Sequence, residues 1–251
     1  MICIALALAL FSAPSSSEGM VNVPAGCFAM GNDSGEADER PAHNVCLDKF
    51  RMDRHEVTNA QFEKLLGKNP HWDDGACFIW SGTSWRRGIL PESFRGSRQP
   101  AVCVEYDQAR AYCEALGKRL PTEAEWEYVA RAGSRGRFTW KEGKTGIATH
   151  AWIMENGAYM THPVAIKLPN AWGLYDMLGN AWEWVSDWYG SGYYEKSPEE
   201  SPQGPVDGAY RTYRGGGWFT SGKTLSVAMR GSLASESARA ALGFRCAEGR
   251  S

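Results

Sequence analysis

The sequence predicts a loop-rich α+β fold with few short helices and small antiparallel sheets. Three observations point there. Eleven Trp, ten Tyr and nine Phe stand beside 28 Gly; rings bury much area at little rotamer cost and pin irregular backbone, whereas a helical bundle has little use for so many glycines. The apolar runs between residues 20 and 57 are short and alternate with the period of a strand. The helical stretches are brief and bounded by caps and glycine stops. A chain of 251 residues, 43% of them apolar, can bury a substantial core in one domain.

Taken in order, MVNVPAGCFAMG and HNVCLDKFRMDRHEV read as strands around the polar loop DSGEADERPAH. Thr58 and Gln61 form a capping-box pattern that opens a short helix, with Phe62, Leu65 and Leu66 as its apolar face. Residues 67–100, rich in Gly, Pro, Trp and Arg, read as a long ordered loop. Tyr106 to Leu116 is the next helix, with Ala109, Tyr112, Cys113 and Leu116 on one side and Gly117 as its stop. Thr122 and Glu125 make a second capping box, Trp126 and Val129 face inward, and Gly133 ends that helix. Residues 134–170 read as irregular, and GLYDMLGNAWEWVSDW (173–188) is assigned to the core by its Trp density. Residues 190–210, rich in Pro, Ser and Gly, read as an exposed excursion. No internal repeat is evident, and a single domain is expected over residues 20–251.

The net charge of −2 and a pI near 6.2 give no electrostatic ground for nucleic acid or an anionic membrane as partner. Ile2 to Phe11 is too short to span a bilayer as a helix but fits the apolar part of a secretory signal. Residues 1–19 are therefore expected to be an export segment. The protein is expected in the periplasm, on the cell surface or outside the cell, and not as an integral membrane protein. After Cys3 six cysteines remain, an even number that favours disulfides in an exported chain. Cys27 and Cys46 lie in two strands joined by one loop, and Cys77 and Cys103 in short apolar runs around one excursion. Pairing each couple leaves Cys113 with Cys246. No CxxC occurs, and His43, His55, His71, His150 and His162 are scattered without a ligand pattern. Asp33, Glu36, Asp38 and Glu39 read as a solvated hairpin tip, and no GxSxG elbow supports a serine hydrolase.

Five phrases stand in a telling order: VPAGCFAMG, ERPAHNVCLDKFRMDRHEVTNAQF, GKRLPTEAEWEYVARAG, NAWGLYDMLGNAWEWVSDW, and RGGGW followed by GFRC. Together they resemble the formylglycine-generating enzyme (sulfatase-modifying factor) family over about residues 20–247. The resemblance implies a C-type-lectin-like fold of the sulfatase-modifying factor type. It also implies the Cys113–Cys246 disulfide, whereas Ala130 and the AMRG segment stand where the other disulfide of the family's oxidases would be. Those oxidases use a pair of cysteines to hold Cu(I), a soft ion that prefers thiolates, and convert a client cysteine to formylglycine. Here the matching stretch runs from Trp218 to Leu225 without a cysteine, and Thr220 stands where the first would be. A hydroxyl is a hard, neutral donor, and no histidine follows residue 162. No copper is expected. The resemblance further implies a structural Ca²⁺ site from the side chains of Asp176 and Glu183 and the carbonyls of Gly179 and Ala181, an all-oxygen set. The alternative is that Asp176 caps a turn and Glu183 pairs with an arginine.

Two functional classes follow. The favoured one is a non-catalytic ligand-binding module whose face includes Trp218, Phe219, Thr220, Ser221 and Lys223, its ligand a small molecule, a glycan or a protein. The stretch 218–241 is also similar to the variable region of ligand-binding proteins from diversity-generating retroelements. The alternative is a periplasmic enzyme of altered chemistry, like the relatives that mature a siderophore. Conventional formylglycine generation ranks last.

Overall fold

The computed structural model describes residues 19–140 and 146–249, so nearly all of the expected export segment lies outside the described residues. The alternating N-terminal region forms β1 (Met20–Val23), β2 (Gly26–Met30), β3 (His43–Leu47) and β4 (Phe50–Asp53). Both sequence-predicted capping boxes are present. Thr58 caps α1 (Asn59–Leu66) with Gln61 reciprocating. The next elements are β5 (Cys77–Trp80), β6 (Trp85–Gly88) and α2 (Tyr106–Ala115). Thr122 and Glu125 then cap α3 (Glu123–Arg131), which ends in left-handed Ala132 and Gly133. After α4 (Gly146–His150) come β7 (Trp182–Trp188), β8 (Arg211–Arg214), β9 (Arg230–Leu233), β10 (Leu242–Phe244) and β11 (Ala247–Glu248).

Two sheets organise the molecule. One has the order β10-β7-β8-β9, and the other β1-β4-β11. β10 runs parallel to β7, while the other pairings are antiparallel. Hairpins β2–β3 and β5–β6 stand apart from them. The Trp-dense phrase lies in the core as expected: Trp184 and Val185 of β7 have no exposed surface. Trp126 of α3 is equally buried and donates its indole N–H to Glu183 at 2.8 Å.

Three disulfides close the fold in the expected pairs, Cys27–Cys46, Cys77–Cys103 and Cys113–Cys246. The first joins residues directly opposed in the β2–β3 register. Three sequence expectations give way. Leu65, Leu66 and Leu116 are exposed at 37%, 43% and 39%, because α1 and α2 are too short for their last turns to reach the core. Residues 67–100 contain the β5–β6 hairpin rather than loop alone. The excursion 190–210 is anchored by Tyr194, 2% exposed, within a short 3₁₀ turn. Among the described residues no helix is long and apolar enough to cross a membrane.

Candidate functional site

α3 carries Glu123, Glu127 and Arg131 at intervals of four, which stacks three charged side chains along one helix face. That face is buried, and it meets Arg214 of β8, with no exposed surface, and Arg230 of β9, 8% exposed. Glu123 receives Arg230 through two bonds, Nε–Oε1 at 2.6 Å and an Nη2–Oε2 contact at 2.8 Å, and Arg214 at 3.1 Å. Glu127 receives Arg214 and, at 2.6 Å, Arg131. Burial alone would raise the Glu123 carboxyl, but Arg230 and Arg214 outweigh it and hold the group below its ordinary range.

The network reaches outward into two loops. Arg214 donates to the carbonyls of Val227 at 3.0 Å and Ala228 at 3.1 Å. Arg131 donates to the Gly31 carbonyl at 2.9 Å, and Arg230 to the Asp38 carbonyl at 2.6 Å. Those loops are two walls of a groove of about 730 Å³, closed by Arg135 to Arg137, Trp182 and Tyr213. Arg137 clamps the rim by donating to the Leu225 carbonyl at 2.8 Å. Glu39 also lines the groove; it is 5% exposed rather than solvated, and burial raises its carboxyl. Trp182, 8% exposed, brings its ring to the groove with its indole N–H unpartnered, and Tyr213 stands edge-on to it at 4.9 Å. Gly231 faces Tyr213 across the β8–β9 register, and any Cβ there would overlap the Tyr213 ring.

The turn at 218–225 divides the expected ligand face. Trp218 is 1% exposed and donates to the Ala240 carbonyl at 3.0 Å, so its ring supports the turn from inside. Thr220 is 7% exposed, and its hydroxyl accepts the Gly217 N–H at 3.0 Å. Ser221 donates to Glu155 at 2.9 Å. Lys223 is exposed on the groove rim, and Phe219 is half-buried beside Trp85. Glu39 was read from the sequence only as part of a solvated hairpin tip, and Trp182, Tyr213 and Arg137 were not singled out as site residues. Trp182 and Tyr213 carried an available signal, Trp182 as a ring within the phrase GNAWEW and Tyr213 as one immediately before RGGGW.

A second polar cluster lies behind the 176–183 loop. Asp176, Asn180 and Gly179 all take positive φ, and a Cβ on Gly179 would collide with the Trp152 carbonyl. Asn180, fully buried, ties the loop to His162 and to Glu56 at 3.1 Å. Asp176 accepts the Ala165 N–H at 2.8 Å with one oxygen, while its other oxygen and one of Glu56 are buried without a partner. Glu183 gives both oxygens to Arg245, at 2.7 and 2.8 Å. Three buried carboxyls thus face a single guanidinium. Burial pushes Asp176 up to about 6 and raises Glu56 well above its ordinary value.

Residues 8–250 match the family model described as "Sulfatase-modifying factor enzyme 1-like domain". The chain belongs to this family. It is 37% identical to the formylglycine-generating enzyme of Streptomyces coelicolor, over 93% of this chain and 90% of that one. The structure of PvdO from Pseudomonas aeruginosa superposes with a TM-score of 0.75 at 32% identity, covering 92% of this chain and 94% of that one. The Treponema denticola variable protein 1 shares the fold, with a TM-score of 0.77 at 24% identity over 91% and 94% of the two chains. The sulfatase-modifying factor fold therefore sets the frame for both clusters. For a hard divalent ion the open oxygen of Asp176 and the excess negative charge fit. Glu183 fits less well, since Arg245 already occupies both of its oxygens. Among the described residues no group of three or more His, Cys, Asp or Glu side chains is placed to share a metal.

Proposed function

We propose that residues 20–251 form one exported ligand-binding domain of the sulfatase-modifying factor family that does not oxidise cysteine through copper. The observation that carries this reading is the fate of the thiols. Cys27, Cys46, Cys77, Cys103, Cys113 and Cys246 are all bridged, so among the described residues no thiolate is left to face the groove. Where the copper oxidases place their first cysteine, the Thr220 hydroxyl is spent on the backbone of its own turn. A neutral hydroxyl does not replace a copper thiolate. A groove with a rigid charged base, two aromatic rings at one end and cations on its rim has the makings of a recognition site. Three disulfides also suit an oxidising compartment outside the cytosol.

Structural calcium belongs to the same proposal. Asp176 would supply a carboxylate oxygen and Gly179 and Ala181 carbonyl oxygens; of the expected set Glu183 is held by Arg245, and the one unpartnered oxygen of Glu56 would stand in for it. The ion would clamp loops that lack regular backbone pairing and would take no part in chemistry.

The deciding experiment is mass spectrometry of a peptide bearing the sulfatase-type Cys-x-Pro-x-Arg motif, incubated with the mature protein, Cu(I) and oxygen. The expected result is an unchanged cysteine beside a positive control that converts fully. Formylglycine in the peptide would overturn the reading.

A further inference from the structure

A second surface adjoins the groove. The β5–β6 register sets Phe78 opposite Arg87 and Trp80 opposite Trp85, and directly opposed residues share one face of a sheet. A parallel bridge sets Arg239 against Phe78 and adds a third strand position to that face. The opposite face carries Cys77, fully buried and bridged to Cys103, which fastens the hairpin to the body. Phe219 stands edge-on to Trp85 at 5.0 Å, and Trp80 lies 5.7 Å from Trp85. All four rings are half-buried.

Two guanidiniums lie over these rings. Arg87 is 5.4 Å from the Phe78 centroid, and Arg239 is 5.5 Å from that of Trp85. Among the described residues neither forms an ion pair, and the Nε of Arg239 is buried with no hydrogen-bond partner. Arg239 also acts on Tyr213, whose hydroxyl is raised by burial and pulled down by this guanidinium. Phe219 of this strip belongs to the turn whose Lys223 and Thr224 line the groove.

We infer that this face binds an anionic oligosaccharide, one carrying carboxylate or sulfate groups. The inference rests on the ligand-binding reading of the groove and names the ligand class. A pyranose ring offers a flat apolar C–H face, which packs on indole and phenyl rings, and an edge of hydroxyls. The hairpin tip, tied by the Ser81 hydroxyl donating to the Ser84 carbonyl at 2.9 Å, presents the exposed Thr83 to meet such an edge. A guanidinium stacked on a ring keeps the edge of its fork free, and that fork matches carboxylate and sulfate oxygens in pairs. An added peptide strand draws its specificity from pockets for alternate side chains; this face presents ring surface and forked cations instead.

The test is calorimetric titration of the mature protein with a heparin-type hexasaccharide, an oligogalacturonate hexamer and neutral maltohexaose. Binding of at least one anionic sugar, weakened by salt and absent for maltohexaose, is expected. The double variant Arg87→Gln, Arg239→Gln should bind at least about tenfold more weakly, since a hydrogen bond to a charged group is worth about that much. Circular dichroism and the melting temperature of the variant, unchanged from the parent, would exclude misfolding as the cause. Arg87→Lys, Arg239→Lys provides a second reading: retained charge without the fork should recover only part of the loss. Failure of every sugar to bind, equal binding of maltohexaose, or indifference to the double glutamine variant would each overturn the inference. Equal binding of a poly-glutamate peptide would overturn it in favour of a protein ligand. Peptide oxidation in the copper assay would instead sink the broader reading, so the two failures are distinguishable.

Discussion

Arg214 has no exposed surface, yet its charge is met twice, by Glu123 and by Glu127. The same two terminal nitrogens also donate to the carbonyls of Val227 and Ala228, while Nε is buried without a partner, so one side chain ties α3 to a wall of the groove. Arg214→Ala would leave two buried carboxylates with Arg230 and Arg131 as their remaining cationic partners. Removing one partner of a buried pair typically costs ~3–5 kcal/mol. Urea denaturation of Arg214→Ala should show a loss of that order, and a change within about 0.5 kcal/mol, as for an ordinary surface site, would mean the network is dispensable. None of this was legible in the sequence. The partners stand 91 and 87 positions apart, and local pattern carries no information about pairs at that distance.

At the scale of elements, the 176–183 loop is where calcium should be felt. Without an ion, Asp176 is pushed up to about 6 by burial, so protons compete with any cation below that pH. Calcium at about a hundredfold over its dissociation constant should add about 2.7 kcal/mol of stability. The expected outcome is a rise in melting temperature at pH 7.5 that a chelator reverses and that shrinks as pH falls through about 6. Asp176→Ala should abolish it; an identical calcium shift in that variant would place the ion elsewhere. Elements with a local signature were readable beforehand. Thr58 with Gln61 and Thr122 with Glu125 mark both capped helices because a capping box is a contact between near neighbours. The β5–β6 hairpin was missed because its strands are four residues each, too short for alternation to register among Gly, Ser and Arg. Trp218 was assigned to the ligand face for its neighbourhood, whereas its ring is the filling beneath that face.

For the whole molecule, the three disulfides are unequal. Cys27–Cys46 and Cys77–Cys103 span 19 and 26 residues, while Cys113–Cys246 spans 133. Restricting a longer loop removes more entropy from the unfolded chain, about 4–5 kcal/mol for a span above 100 residues against about 3 for the shorter ones. Cys113→Ser with Cys246→Ser should therefore lower the urea midpoint more than either other double serine variant. Equal losses for all three would show that strain or residual unfolded structure sets the scale instead. A non-reducing peptide map in which Cys27 is not joined to Cys46 would undo the register of β2 with β3 as well.

β4 lies between β1 and β11, so its two edges are covered by segments drawn from opposite ends of the described chain. During synthesis, Met52, with no exposed surface in the finished fold, waits for Ala247 to emerge and pair with it. Chain growth at roughly 5–20 residues per second leaves that edge open for some ten to forty seconds after β4 has been made. A ribosome stalled before residue 247 would carry a nascent chain with one sheet edge unfilled, open to chaperones and proteases.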